Sequence, residues 1–148
     1  MTIRLAGKGD LSELVDLGGS LFSQTAWANH VEFNRASFQG SLVALIEAEC
    51  LLVAVAHNGS LVGMLGFVVA PIYANGAHSF AQELFVIAKP DSPGAGRLLI
   101  NAFEQEARAR GAVASLVSAQ VGLRDAALAR VFSRLGYTET ERTFMKGL

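Results

Sequence analysis

Cysteine is nearly absent from this sequence. Cys50 stands alone, so no disulfide can form within the chain and no thiolate cluster can hold a metal. The three histidines, His30, His57 and His78, are widely spaced and match no metal-ligand pattern. Charge of one sign is missing too. The formal net charge is −1, which gives no basic field for nucleic acid. Arg97, Arg108 and Arg110 are interleaved with Glu104 and Glu106, the pattern of a solvated helix face. There is no long hydrophobic run. Leu61 to Pro71 is too short to span a bilayer and is broken by Gly63 and Gly66, so a membrane is not expected as a partner. The first residues lack a basic segment followed by an apolar one, so no signal peptide is expected. Together these absences predict a soluble protein in a reducing, cytoplasmic setting.

What the sequence does have is apolar residues, at 51% of 148. That is enough to bury a core, and a single domain over 1–148 is expected. The pattern predicts a short strand at Thr2–Leu5. A helix opened by an Asp10–Glu13 capping box should end or weaken at Gly18-Gly19. Ser20 to Val31, which holds the only tryptophan, Trp27, is ambiguous. Phe38, Leu42, Leu45 and Ile46 recur at helical spacing in a second helix over Glu32–Glu49. The period then changes. Leu51–Ala56 and Leu61–Val69 read as strands joined by a tight turn at Asn58-Gly59. Pro71–Ala77 reads as a loop and Phe80–Ala88 as the next strand. A long amphipathic helix over Gly96–Arg110 should close on Gly111. A strand at Val113–Ala119, a helix at Arg124–Leu135 capped by Gly136, and a last strand at Thr140–Lys146 complete the order. The expected fold is mixed α/β, with a mostly antiparallel central sheet and a parallel β-α-β crossover after the third long strand.

Chemistry concentrates in Gln82 to Leu99, which reads as a strand, a Pro/Gly loop and a helix start. Backbone N–H groups from such a loop converge on one spot, and an anion such as a phosphate suits them. Ligands of parallel crossovers sit beyond the carboxyl ends of strands, and Pro90–Gly96 lies at such an end. Glu83 is a carboxylate in an otherwise apolar strand, where burial would raise its pKa and suit it to accepting a proton near neutrality. The alternatives are a carboxylate satisfied by backbone donors or one facing solvent. Cys50 begins a buried strand and is expected to pack.

Several of these residues resemble one family. The element order, the loop Gly94-Ala95-Gly96, the ending Phe132-Ser133-Arg134-Leu135-Gly136-Tyr137, the closing Phe144-Met145-Lys146 and the entry Ala81-Gln82-Glu83 are similar to the GCN5-related N-acetyltransferase (GNAT) family, and to small phage and bacterial members of it. The resemblance covers nearly the whole chain. It implies the acyl-CoA N-acyltransferase architecture, with acetyl-CoA as cosubstrate and transfer of an acetyl group to an amine by direct attack.

On that resemblance, Pro93, Gly94, Ala95, Gly96 and Arg97 would hold the pyrophosphate. Val86, Ile87 and Ala88 would run beside the pantetheine arm, and Glu83 would be the general base, directly or through water. Trp27, Tyr73 and His78 would border an acceptor, a small-molecule or peptide amine. The hydroxyl of Ser118 is a further candidate for ligand contact, and Tyr137 is expected to pack. Dimerisation is common in the family, and a homodimer stays open. Two positions depart from the pattern. Asp91 stands where the family carries Arg or Gln. Phe132 stands where it often carries the tyrosine that protonates the leaving thiolate. With a loop before Gly94 that is shorter than the subgroup's, they motivate the rival reading, a binding or assembly module on the same fold with a degenerate cofactor loop and no turnover.

Overall fold

The computed structural model describes residues 1–119 and 125–148. Its order is β1 (Thr2–Leu5), α1 (Leu11–Phe22), α2 (Arg35–Glu47), β2 (Leu51–Val55), β3 (Leu61–Ile72), β4 (Asn75–Ala88), α3 (Ala95–Ala109), β5 (Ala112–Leu116) and α4 (Asp125–Arg134). The strands form a sheet in the order β1-β2-β3-β4-β5, antiparallel throughout except for the parallel pair β4–β5. This is the mixed sheet with one parallel crossover that the sequence predicts.

β2 and β3 read as continuous apolar runs because both faces of the sheet are covered. On one face Leu51, Val53, Leu61 and Met64 pack with Leu14, Val15 and Leu17 of α1 and Leu42 of α2. On the other, Leu52, Leu65 and Phe67 pack with Leu99, Ile100 and Phe103 of α3 and Phe132 of α4. The β2–β3 turn closes as expected, with Gly59 at φ 88° and its N–H donating to Ala56 O at 2.9 Å. Gly111 and Gly136, at φ 76° and 91°, follow the ends of α3 and α4.

Several expectations need correction. Gly18-Gly19 does not end α1, which runs on to Phe22. A Cβ at Gly18 would lie 2.2 Å from Phe38 Cε1, and one at Gly19 2.9 Å from Phe33 Cε1, so these glycines let aromatic rings reach the helix. The capping box does not form on α1. Asp10 instead takes paired bonds from Arg4 at 2.7 and 2.8 Å and one from Gly7 N–H, and the Arg4 contact holds its carboxyl below the usual range. Glu13 accepts from Leu61 N–H at 2.9 Å. Both carboxylates serve tertiary contacts. The second helix starts later than predicted, capped by Asn34, whose side chain accepts from Ser37 N–H.

Pro71–Ala77 is not a loop. β3 continues to Ile72 and β4 begins at Asn75, with a turn at Tyr73-Ala74. Pro71 fits because the ladder shifts beside it and its missing N–H would face away from β4. The last predicted strand, Thr140–Lys146, is absent. Residues 137–148 carry no regular structure, and Phe144 is 90% exposed. An alternating pattern becomes a strand only when a sheet edge receives it. The predicted start of the last helix, Arg124, lies outside the described residues.

Candidate functional site

Two turns build the loop after β4. Ser92 N–H donates to Lys89 O at 3.0 Å, and Ala95 N–H donates to Ser92 O at 3.2 Å. In the second turn Pro93 is the first central residue and Gly94 the second, at φ 87° and ψ −13°. This is type II geometry, which needs glycine at that place. Gly94 is also the N-cap of α3 and has no side chain to cap with. Of the first N–H groups of the helix, Ala95 is used by the turn and Leu98 donates to Gly94 O at 3.0 Å. Those of Gly96 and Arg97 make no hydrogen bond among the described residues. They are bare donors at the positive end of a long helix, the arrangement that accepts an anion. Beside them Arg97 and Arg134 border a cavity of about 240 Å³ with Val131 and Leu135. Asp91 is exposed in the loop and accepts a weak bond from Ser92 Oγ at 3.4 Å.

β4 changes character along its length. Gly66 pairs with Phe85 and Phe67 with Glu83, so Leu84 is an extra residue, a bulge. The bulge reverses the alternation. Val86 and Ala88 turn their side chains toward α3, and Phe85 and Ile87 toward α1 and α2. It also lies next to a change of partner. β5 pairs with β4 only over Ser79 to Gln82. Beyond that the two strands part, and among the described residues β4 keeps only β3. Lys89 N–H donates to Val62 O at 2.8 Å. By the alternation of an antiparallel ladder, Ile87 and Phe85 also face β3, and Val86 and Ala88 direct their N–H and C=O to the free edge. Ile87 therefore gives no backbone group to that edge. An extended chain of amides is the ligand chemistry it suits.

Glu83 sits where the strands part, 5% exposed. Its Oε2 accepts from Ser118 N–H at 3.0 Å and from Ser118 Oγ at 2.8 Å. Burial raises its pKa above the ordinary glutamate range, and the Ser118 bonds oppose that rise. The structure thus brings Glu83 and Ser118 together. Tyr137 packs edge-on to Phe132 with ring centres 5.9 Å apart and shares a 3.1 Å hydrogen bond with Ser115. Burial, first among several influences, pushes its hydroxyl up to about 12. Phe132 is buried in the core and carries no acidic hydrogen.

The acceptor candidates are not gathered. Tyr73 is fully exposed at the hairpin tip. His78 lies within β4 rather than in a loop, exposed, and is roughly 17 Å along the strand from Glu83. Trp27 is 54% exposed in a single turn of 3-10 helix, Ala26–Asn29. Sequence reasoning missed the approach of Arg134 to Arg97, because no spacing relates a residue at the end of one helix to the first turn of another. It also missed the Glu83–Ser118 pair, which depends on how far the strands splay.

Comparison with known proteins adds a consistent result. The acetyltransferase (GNAT) family model matches residues 20–137. No curated protein sequence matches the chain. Among solved structures, a ribosomal-protein-alanine N-acetyltransferase from Brucella melitensis biovar Abortus 2308 superposes with TM-score 0.75 at 16% identity, over 100% of each chain. An aminoglycoside antibiotic 6'-N-acetyltransferase from Acinetobacter haemolyticus gives 0.70 at 19% identity, over 100% of this chain and 99% of that one. AAC(6')-Iy, solved with a bisubstrate analogue, CoA-S-monomethyl-acetylneamine, gives 0.72 at 20% identity, over 98% of this chain and 95% of that one.

Proposed function

The chain belongs to the acetyltransferase (GNAT) family, and from that premise we propose that it is an N-acetyltransferase moving an acetyl group from acetyl-CoA to an amine. One observation carries the reading: the free edge of β4 at Val86 and Ala88 runs directly into the Gly94 turn and the bare N–H groups of Gly96 and Arg97. Extended amides beside a pyrophosphate are the chemistry of coenzyme A, and these residues offer a partner to each part. Pro93 and Ala95 hold the turn, and Ile87 anchors the strand to β3. The structural neighbour crystallised with a CoA bisubstrate analogue supports the same assignment.

Glu83 is the base in this reading. Burial lifts its proton affinity toward the range where a base works near neutral pH. The amine nitrogen attacks the thioester carbonyl carbon, a C–N bond forms and the C–S bond breaks. The amine proton passes to Glu83, directly or through water. Phe132 cannot supply the thiolate's proton, so water or a hydroxyl not yet assigned supplies it. An N–H of the β4 edge polarises the carbonyl. The acceptor is a small-molecule or peptide amine. The neighbours' own names span an aminoglycoside and a ribosomal-protein alanine, so the acceptor class stays at that level. Trp27, Tyr73 and His78 are given no role, since they do not converge with Glu83. A cytoplasmic setting belongs to the same reading.

The test is calorimetry with acetyl-CoA followed by turnover with an amine panel. Binding is expected, and Glu83→Gln should bind equally but lose turnover by about 10²-fold or more. The rival, a GNAT-fold binding module without turnover, is favoured by the exposed carboxylate of Asp91 in the loop that leads to the bare N–H groups and by the buried Phe132. No binding at millimolar acetyl-CoA would sink the acetyltransferase reading, and no turnover with any amine would favour the module.

A further inference from the structure

We propose that Ser118 is a positioning residue for the transfer: its hydroxyl and its N–H together hold Glu83 Oε2 in the notch between β4 and β5 and so fix Oε1 as the proton acceptor. The inference rests on the reading of Glu83 as the base.

The geometry is specific. The β4–β5 ladder ends at the pair Gln82–Leu116. Just beyond it the strands separate, and a side chain bridges the gap in place of the next backbone bond. Ser118 N–H, a group a continuing ladder would have paired with β4 backbone, donates to Glu83 Oε2 at 3.0 Å. The Ser118 hydroxyl donates to the same oxygen at 2.8 Å. Oε1 makes no hydrogen bond among the described residues. A carboxylate with both donors on one oxygen cannot rotate without losing both, and bonds to a charged group are the stronger kind. The pair therefore settles which oxygen is free.

Other charges near β4 do not compete with Ser118. β3 and β5 carry no titratable side chain. α1 carries Glu13, which accepts from Leu61 N–H, and Asp16, paired with Arg35. α3 carries Arg97, Glu104, Glu106 and Arg108, and β4 itself carries His78. None contributes to the shift of Glu83, which comes from burial upward and from Ser118 downward. Removing the hydroxyl removes part of the downward influence, so Glu83 should hold its proton to higher pH.

The experiment is Ser118→Ala in the full chain, read in two ways. One is the pH profile of kcat/KM with acetyl-CoA and whichever panel amine the wild type acetylates. The other is the titration of the Glu83 carboxyl carbon by NMR, which needs no turnover. The proposal expects the acid limb and the titration to move up together by about one pH unit. Below the limb the rate should fall roughly tenfold, with little change on the plateau. Ser118→Thr, which keeps the hydroxyl, should restore both. If Ser118→Ala does not fold, Ser118→Cys, with a weak donor of similar size, is read the same way. An unmoved titration, or a moved titration with an unmoved limb, overturns the positioning role. A wild type that turns over no amine overturns the acetyltransferase reading instead, and a moved titration would then still confirm that Ser118 holds Glu83.

Discussion

The two halves of β4 differ in what lies along their edges. From Ser79 to Gln82 the strand has β3 on one edge and β5 on the other, and it is structural. From Phe85 to Ala88 it has only β3 among the described residues, and Val86 and Ala88 send their backbone groups to the other edge. Between the halves lie the Leu84 bulge and the Glu83–Ser118 bridge. A buried strand with an unpaired edge is costly unless something covers it. This chain combines that edge with an uncapped helix start. On the proposed function, the difference between the halves separates holding the sheet together from holding a ligand.

The largest expected effect strikes both halves at once. Phe67 faces Glu83 across the ladder, is fully buried, packs on Phe103 with ring centres 5.4 Å apart and lies under the Arg110 guanidinium at 5.1 Å. Phe67→Ala should cost about 3–5 kcal/mol in urea unfolding. Prolines then separate the edges. Ile87→Pro removes an N–H that faces β3 and should cost more than about 2 kcal/mol of stability. Ala88→Pro removes one that faces the free edge. It should spare most of the stability and weaken acetyl-CoA binding by calorimetry roughly tenfold, about 1.4 kcal/mol. Equal destabilisation by the two would break the comparison.

The glycines of the loop sharpen it further. Gly94 holds φ 87°, so Gly94→Ala should cost about 1–2 kcal/mol and weaken binding with it. Gly96 is helical with open space at its Cβ, and Gly96→Ala should leave the melting temperature at or slightly above wild type. The smallest effect is electrostatic. Glu83 keeps its proton to higher pH when folded than when unfolded, so wild-type stability is expected to fall as pH rises through that window. Glu83→Gln should therefore be the more stable protein at pH 8, with the gap closing toward pH 4.

Much of this was legible in the chain. Alternation, turn glycines and cap glycines located nearly every element, because they act within a few residues of themselves. Gly94-Ala95-Gly96 also marked the turn that opens α3, since a positive φ favours glycine locally. What failed depended on distant partners. Gly18 and Gly19 look like helix breakers until Phe38 and Phe33 are seen against them. Thr140–Lys146 has a strand's pattern but joins no strand of the sheet. Tyr73 and His78 border an acceptor on the resemblance, but Pro71–Ala77 continues the long β3–β4 hairpin, which carries both away from Glu83. Glu83 itself was visible as a lone carboxylate in an apolar strand. Its partner was not, because the splay of β5 decides which residue reaches it.

The central claim is that the free half of β4 receives the cofactor. Amide hydrogen exchange followed residue by residue, with and without acetyl-CoA, tests it most directly. The account predicts slow exchange at Phe85 and Ile87 in both states, and fast exchange at Val86 and Ala88 that becomes slow when acetyl-CoA is added. Exchange at Val86 and Ala88 that is already slow without acetyl-CoA, or stays fast at saturating acetyl-CoA, would contradict it.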